Sequence, residues 1–520
     1  MLKDKSPQES FYGSYLFDKI VPQDHLLRKI NAVVDFSFVS DMVRDRYTPD
    51  FGRPAEDPEF MLRLCLLQYI YGDSDRQVIE NARMHNGYKY FLGLAVDEDV
   101  PDDTTISVFR TKRLGEEKFR QIFEKIVQQC IDKGLVTGKR QIVDSTHILA
   151  DITRNSLAGI IKLCRRNVIQ DITRQNPKVA DKLGTQEVRI RKQDRFARVA
   201  ESLEGEVEDA KGLLNGVTSE LKGGNLRVTP ELSRSLELLE KAVADRADEA
   251  KDRLVSPIDP DARAGKKEHK NWAGYKGHVV IEEDSEIITA IETTPANKDD
   301  GNQLKGLLKQ QEHSFDLIPD ELSADKAYGI GANLDILESK GITGYISLIE
   351  KFNRIDRNLF TQDDFKYDII NGTLTCPAGC VAAHSKKDLA LTEKSRRNGI
   401  VFEFSRHQCK ACELRPLCYN GSLKVHGRVV HISVYESYYQ QMKVRMESAE
   451  GKAAYRNRYK IEHKVADLAR YCGMRRCRYR GLTKAKIHTL LSATVSNIKR
   501  MTKLLWTLPE SPPQMMGLAS

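Results

Sequence analysis

The feature that most constrains the fold is a change of hydrophobic period near residue 140. Up to about residue 135 the apolar residues recur every three or four positions, the spacing of one helix face. QIVDSTHILAD (141–151) breaks that rhythm. It is short, rich in β-branched residues, and predicts a strand with Asp144 near its middle. NWAGYKGHVVIEEDSEIITAIETTPAN (271–297) predicts two more strands joined by a turn at Glu283, Asp284 and Ser285. DELSADKAYGIGAN (320–333) predicts a strand ending at Asp325, then a glycine-containing turn into a helix, and ITGYISLIE (342–350) predicts another strand. Strands with a crossover helix, behind a block of helices, imply an α/β core after an all-α N-terminal domain.

The N-terminal block carries its own start signals. Asp57-Pro58 predicts an N-cap and first helical residue, and Ser74 with Gln77 a capping box on a helix closed at Gly87. PDDTTISVFRTKRLG predicts a short basic helix before a longer one. Short tandem helices, one of them basic, fit a helix-turn-helix-like DNA module, and a plain helical bundle fits equally. Two segments interrupt the core. In the first, Leu203, Val207, Ala210, Leu214, Val217 and Leu221, then Leu232, Leu236, Leu239 and Val243, repeat every three or four residues on either side of Gly223-Gly224. That pattern predicts an antiparallel coiled-coil hairpin, on which two copies would assemble. The second holds five of the ten cysteines among short polar strands. The expected organisation is a helical N-terminal DNA-binding domain over 1–135 and a core over 136–156, 263–350 and 433–505. A coiled-coil insertion takes 157–262, a Cys-rich β insertion 351–432, and a disordered tail 506–520.

Charge narrows the partner. The net charge is only +8, yet residues 451–503 carry fifteen Lys and Arg against two Asp and Glu, so the rest of the chain is net acidic. A local basic excess of this kind is the footprint of a polyanion contact. No apolar run reaches membrane-spanning length and the N-terminus has no apolar signal core, so a cytoplasmic, nucleoid-associated protein with no membrane partner is expected. Inside the basic region YRNRYKIEHKVADLAR (455–470) carries a glutamate, Glu462. Tyr455, Arg458 and Glu462 are spaced to share one helix face beside an apolar stripe of Ala454, Ile461, Val465, Leu468 and Cys472. Alone, Glu462 reads as a salt bridge to Arg458 or Lys464. With Asp144 and Asp325 it makes a set of carboxylates on rigid elements, which suits hard divalent cations acting on phosphodiesters. Asp151, Asp259, Asp261, Asp299 and Asp300 are rival acids with ordinary turn or cap explanations, and His147 reads as a packed strand histidine.

These segments carry a resemblance. VDST (143–146), ADKAYG (324–329) and YRNRYKIE (455–462), in that order, resemble the acid-bearing segments of bacterial insertion-sequence DDE transposases with the Tyr-x2-Arg-x3-Glu signature. The nearest group is the insertion-sequence family eleven eighty-two, and the resemblance runs from the N-terminal helices to about residue 503. It implies an RNase H-like catalytic core with Asp144, Asp325 and Glu462 as ligands of Mg²⁺ or Mn²⁺, and Tyr455 and Arg458 on the DNA strand near the cut. It also implies double-stranded DNA partners, the element's terminal inverted repeats and the target, and a homodimer that holds two ends. Arg470, Arg475, Arg476, Arg478, Arg480 and Lys276 are the further DNA-binding candidates. The signature's usual lysine seven residues after the glutamate is Ala469 here, with Arg470 beside it but about 100° round the helix. Two alternatives stay open: a catalytically inactive DNA-binding repressor, and a metal-dependent nuclease without strand transfer.

The cysteines are a separate matter. Cys376-x3-Cys380 and Cys409-x2-Cys412-x5-Cys418 supply close thiol pairs of the kind that make structural zinc sites. The candidate set is Cys376, Cys409, Cys412 and Cys418, with Cys380 able to replace Cys376; unmetallated reduced thiols are the alternative.

Overall fold

The computed structural model describes residues 11–47, 55–153, 155–190, 199–246, 252–267, 270–349, 359–382, 384–388, 399–418 and 427–506. The tail expected to be disordered lies, but for Trp506, outside the described residues.

The N-terminal region is helical: α1 (Phe11–Ile20), α2 (Leu26–Val33), α3 (Phe38–Val43), α4 (Pro58–Tyr71), α5 (Asp75–Met84), α6 (Asn86–Leu92), α7 (Asp103–Val108) and α8 (Gly115–Asp132). Its starts follow the local chemistry. The Asp57 carboxylate accepts from Phe60 N at 3.2 Å with Pro58 in the first turn, and Ser74 and Gln77 cap each other's backbone at 3.2 and 3.0 Å. Gly87 does not close α5. His85 does, and its ring then accepts from Gly87 N at 3.1 Å to start α6. The basic segment after α7 widens into a π-helical stretch, Phe109–Leu114.

The sheet has β1 (Arg140–Leu149) at its centre. On one side β3 (Lys270–Glu282) runs antiparallel to it, and β2 (Arg263–Lys267) and β4 (Ile288–Pro295) pair antiparallel with the two halves of β3. On the other side β5 (Glu321–Ala324) runs parallel to β1, and β6 (Thr343–Ile346) parallel to β5. Two helices, α13 (Leu304–Phe315) and α14 (Gly331–Ser339), lie between β4 and β6 in sequence and cover one face. The register matters for function. Val143 pairs with Ala324, so the next residues of the two parallel chains, Asp144 and Asp325, fall side by side, roughly one strand spacing of 4.8 Å apart.

After the Cys-rich segment come α17 (Glu436–Glu447), α18 (Ala449–Asn457), α19 (Tyr459–Tyr471) and α20 (Leu482–Leu505), the two short helices α15 (Arg406–Ala411) and α16 (Arg415–Cys418) lying within that segment. Helix α19 packs on β1. Helix α20 packs on β4 and on α2, α4 and α8, and Asn497 bonds both backbone groups of Ile288 at 2.8 Å. One apolar core therefore runs through the N-terminal helices, α20 and one face of the sheet. The expected boundary at residue 135 is a change of secondary structure but not a break in the core.

The helical insertion departs from expectation. It contains α9 (Leu157–Gln175), α10 (Pro177–Ile190), α11 (Val199–Lys222) and α12 (Pro230–Ala244), and α9 packs against all three others. The residues of the expected hairpin, Val207, Ala210, Val217, Leu232 and Leu239, are buried in a core shared with Ile161, Cys164 and Val168 of α9. The arrangement is a four-helix bundle, not a coiled-coil hairpin. Three-four spacing marks an apolar stripe but does not name its partner, and here the partner lies within the same chain.

Candidate acidic site and basic face

Asp144 sits in β1 and accepts from Ser145 N at 2.7 Å; Asp325 caps the turn after β5 and accepts from Lys326 N at 2.8 Å. Both carboxylates face one cation. The guanidinium of Arg458 lies 3.9 Å from Asp144 Oδ2 and 3.5 Å from Asp325 Oδ1. Arg458 is 8% exposed, and its Nε is buried without a hydrogen-bond partner. It occupies the junction where α18 ends and α19 begins, with φ −58° and ψ −20°, so the helix face predicted for Tyr455, Arg458 and Glu462 passes through a slight break.

Glu462 follows one turn later, in the first turn of α19, where the helix N-terminus favours a negative charge. It is exposed. The salt bridge expected from sequence is not made: Arg458 turns to the two aspartates, and Lys464, nearly buried, reaches Glu286 at 3.8 Å. Ile461, Leu468 and Cys472 are buried beside it as the apolar stripe requires.

One acid that sequence reasoning set aside lies here as well. Asp300 accepts from Ser145 Oγ at 3.0 Å and from Lys276 Nζ at 2.8 Å, and stands 3.9 Å from His278 Nδ1. It occupies a helix-cap position but makes no cap bond with its side chain. Tyr328 marks the centre of the cluster. Burial pushes its phenol well up, and Asp300, Asp144 and Asp325 push it further. Nothing local in the sequence singles out Asp300; the end of β4 has to be carried back over β3 to place it beside Ser145.

The rival acids have structural employment. Asp259 is buried and accepts from Tyr275 Oη at 2.5 Å and Gly481 N at 3.1 Å. Asp261 accepts from Leu482 N at 2.8 Å at the start of α20, and Asp151 pairs with Arg480 at 3.4 Å. His147 lies against the Trp272 ring.

The basic candidates divide by orientation. Arg470 is exposed in the last turn of α19. Arg475 and Arg476 are exposed on a segment whose backbone bonds Leu149 at the end of β1, at 3.0 and 2.8 Å. Tyr455 is exposed, with the Arg458 guanidinium 5.6 Å from its ring centre. Arg478 turns inward instead, donating to the carbonyls of Asp73 and of Gln68 and lying 4.8 Å from the Tyr69 ring centre. Arg480 is held by Asp151, and Lys276 by Asp300 and the Lys298 carbonyl. Arg110, in the segment expected to be basic and DNA-facing, is buried between Asp75, at 2.9 Å, and the Tyr479 ring.

Among the described residues no group of three or more His, Cys, Asp or Glu side chains stands ready to hold a metal ion. The donor set at Asp144 and Asp325 nevertheless suits a cation, because a cationic group already lies between its carboxylates. Among the described residues, no helix is long and apolar enough to cross a membrane.

No curated protein matches the chain. Two family models do: Transposase domain (DUF772) over residues 15–112, and Transposase DDE domain over residues 375–502. The second spans Glu462 and the five clustered cysteines but neither aspartate. Together the two matches support an insertion-sequence transposase of the DDE type.

Proposed function

We propose that the chain binds the terminal inverted repeats of its own insertion sequence, of family eleven eighty-two, and catalyses metal-dependent cleavage and strand transfer. One observation carries the reading: a single guanidinium spans Asp144 and Asp325, one helical turn before an exposed glutamate. The strand order supports an RNase H-like core: β1, β3 and β4 pair antiparallel, with the short β2 also on β3, and β5 and β6 follow parallel to β1.

In this reading Asp144, Asp325 and Glu462 hold Mg²⁺ or Mn²⁺, which when bound activates the attacking hydroxyl and stabilises the leaving oxygen of the phosphodiester. The chain's own residues do the rest. Ser145 N and Lys326 N fix one oxygen of each aspartate. Arg458, which lies between the two aspartates here, would be displaced by a cation held there and, beside Tyr455, would be placed to contact the DNA backbone. Arg470, Arg475 and Arg476 present charge to the phosphates, where contacts position the duplex without reading its sequence. Asp300 aligns Ser145 and Lys276 next to Asp144. A homodimer would hold the two element ends; the assembly surface must lie elsewhere than on the buried stripe of α11 and α12.

The test is incubation of the purified chain with labelled DNA carrying the gene's own flanks, with Mg²⁺ or Mn²⁺, beside Asp144→Asn and Glu462→Gln. Cleavage at the flanks by wild type alone is expected. Binding without cleavage by all three proteins would leave a DNA-binding repressor.

A further inference from the structure

The Cys-rich segment has a small apolar core of its own. Its described residues form a hairpin, β7 (Lys366–Asp368) with β8 (Thr373–Thr375), and a small antiparallel sheet of β9 (His384–Asp388), β10 (Gly399–Glu403) and β11 (Val429–Ser433). Among the described residues its apolar core holds six buried residues: Phe365, Leu374, Phe402, Phe404, Val430 and Ile432. Units of this size with so little core are normally held by disulfides or a metal. All five cysteines here are free thiols.

Four of them meet at one cavity, with Cys380 beside it. Cys376, from the turn after β8, and Cys409, Cys412 and Cys418, from α15, its end and α16, line one cavity beneath Phe360 and Phe404. Two of the sulfurs are already oriented by backbone donors: Cys376 Sγ accepts from Cys380 N at 3.3 Å and Cys409 Sγ from Arg428 N at 3.5 Å. Ligating atoms are commonly held in this way by groups behind them. The chain also passes close by. A Cβ on Gly427 would lie 2.7 Å from Cys409 Sγ and 2.6 Å from the Phe404 carbonyl, so only glycine fits. Four thiolates in one cavity repel unless a cation lies between them. Cys380 is not among the residues lining the cavity, although its backbone N–H serves Cys376 and its own sulfur stands near those of Cys376, Cys412 and Cys409, so it is the competitor for a ligand position that the variants below must separate.

We propose that the Cys-rich segment binds one structural Zn²⁺ through Cys376, Cys409, Cys412 and Cys418, with Cys380 outside the ligand set. Four sulfur donors with no open position fit tetrahedral zinc and leave no room for a hydrolytic water. The sulfurs line the cavity without forming a finished cage, so ion binding and closure of the segment are one event. Closure has a structural consequence. The segment docks on α17 through Gln362 to Glu436 at 3.0 Å and Asp363 to Lys443 at 2.7 Å, and β11 runs within three residues into that helix. The site is independent of the acidic cluster and of any reaction there.

The experiment is elemental analysis of the full chain purified without added metal, beside five single Cys→Ser variants. One zinc per chain is expected in wild type and in Cys380→Ser, and less than half of that in each of the other four. If a ligand variant does not fold, Co²⁺ titration of the refolded wild-type chain decides. Intense sulfur-to-cobalt absorption at one equivalent, abolished by prior Zn²⁺, supports the site. Zinc-free protein that gives no such absorption overturns the proposal. So does zinc lost in Cys380→Ser but kept in Cys376→Ser, or iron in place of zinc.

Discussion

Replacing Arg458 by alanine should do two opposite things. The guanidinium lies 3.5 and 3.9 Å from the two aspartates. At an effective dielectric near 20 each pair is worth about 4 kcal/mol before desolvation. Burial of the guanidinium, including an Nε with no partner, cancels a large part of that. Asp325 is 43% exposed, so water screens its share. A net of about 1.5–3 kcal/mol remains as the cost of evicting Arg458, which corresponds to roughly 10- to 100-fold in affinity. In Arg458→Ala that cost vanishes. Mn²⁺ should bind the DNA-free chain about ten times more tightly or better, read by titration calorimetry or by the resonance of free Mn²⁺. Arg458→Lys should fall between, because a lysine is a point charge and cannot span both carboxylates. DNA cleavage should fall in both variants, since the same arginine is needed on the DNA. Unchanged or weaker Mn²⁺ binding by Arg458→Ala, with binding abolished in Asp144→Asn, would refute the idea that the guanidinium sits in the cation's place.

Other perturbations follow from the same contacts. Arg110→Ala removes the partner of Asp75 and the cation over Tyr479 and should cost about 3 kcal/mol, seen as a lower denaturant midpoint. Leu239→Ala, at a fully buried position of the four-helix bundle, should cost about 2–5 kcal/mol, yet leave the oligomeric state measured by light scattering unchanged because that stripe faces inward. His488 is buried against Tyr69, and burial first, then Arg478, pushes its imidazole down to about 3. The unfolded chain therefore takes up this proton first. The contribution of His488 is intact above pH 6.5 and lost as pH falls toward 3, about 2 kcal/mol by pH 5. His488→Gln should flatten the fall in stability between pH 7 and 5.

Much of the architecture was written locally. Caps at Asp57 and Ser74, the period change before β1, and the turn after β3 are decided by residues within a few positions of one another, so short-range chemistry is enough to reveal them. The same holds for Asp144 on a strand, Asp325 at a strand end and Glu462 on a helix beside a buried stripe. What lay beyond the sequence depends on which surfaces meet. A three-four stripe on α11 and α12 does not say that α9 covers it. A cluster of arginines does not say that Arg475 and Arg476 face out while Arg478 and Arg110 hold the core together. Arg458, four residues before Glu462, was a plausible partner by helix spacing and Lys464 by nearness along the chain, but β1 and β5 brought two competing carboxylates to Arg458, and Glu286 took Lys464. Asp300 shows the limit most plainly. Charge acts through space and falls off with distance, and only the register of β4, β3 and β1 brings that carboxylate within reach of Ser145 and Lys276, so its place beside the acidic site was decided by the tertiary structure alone.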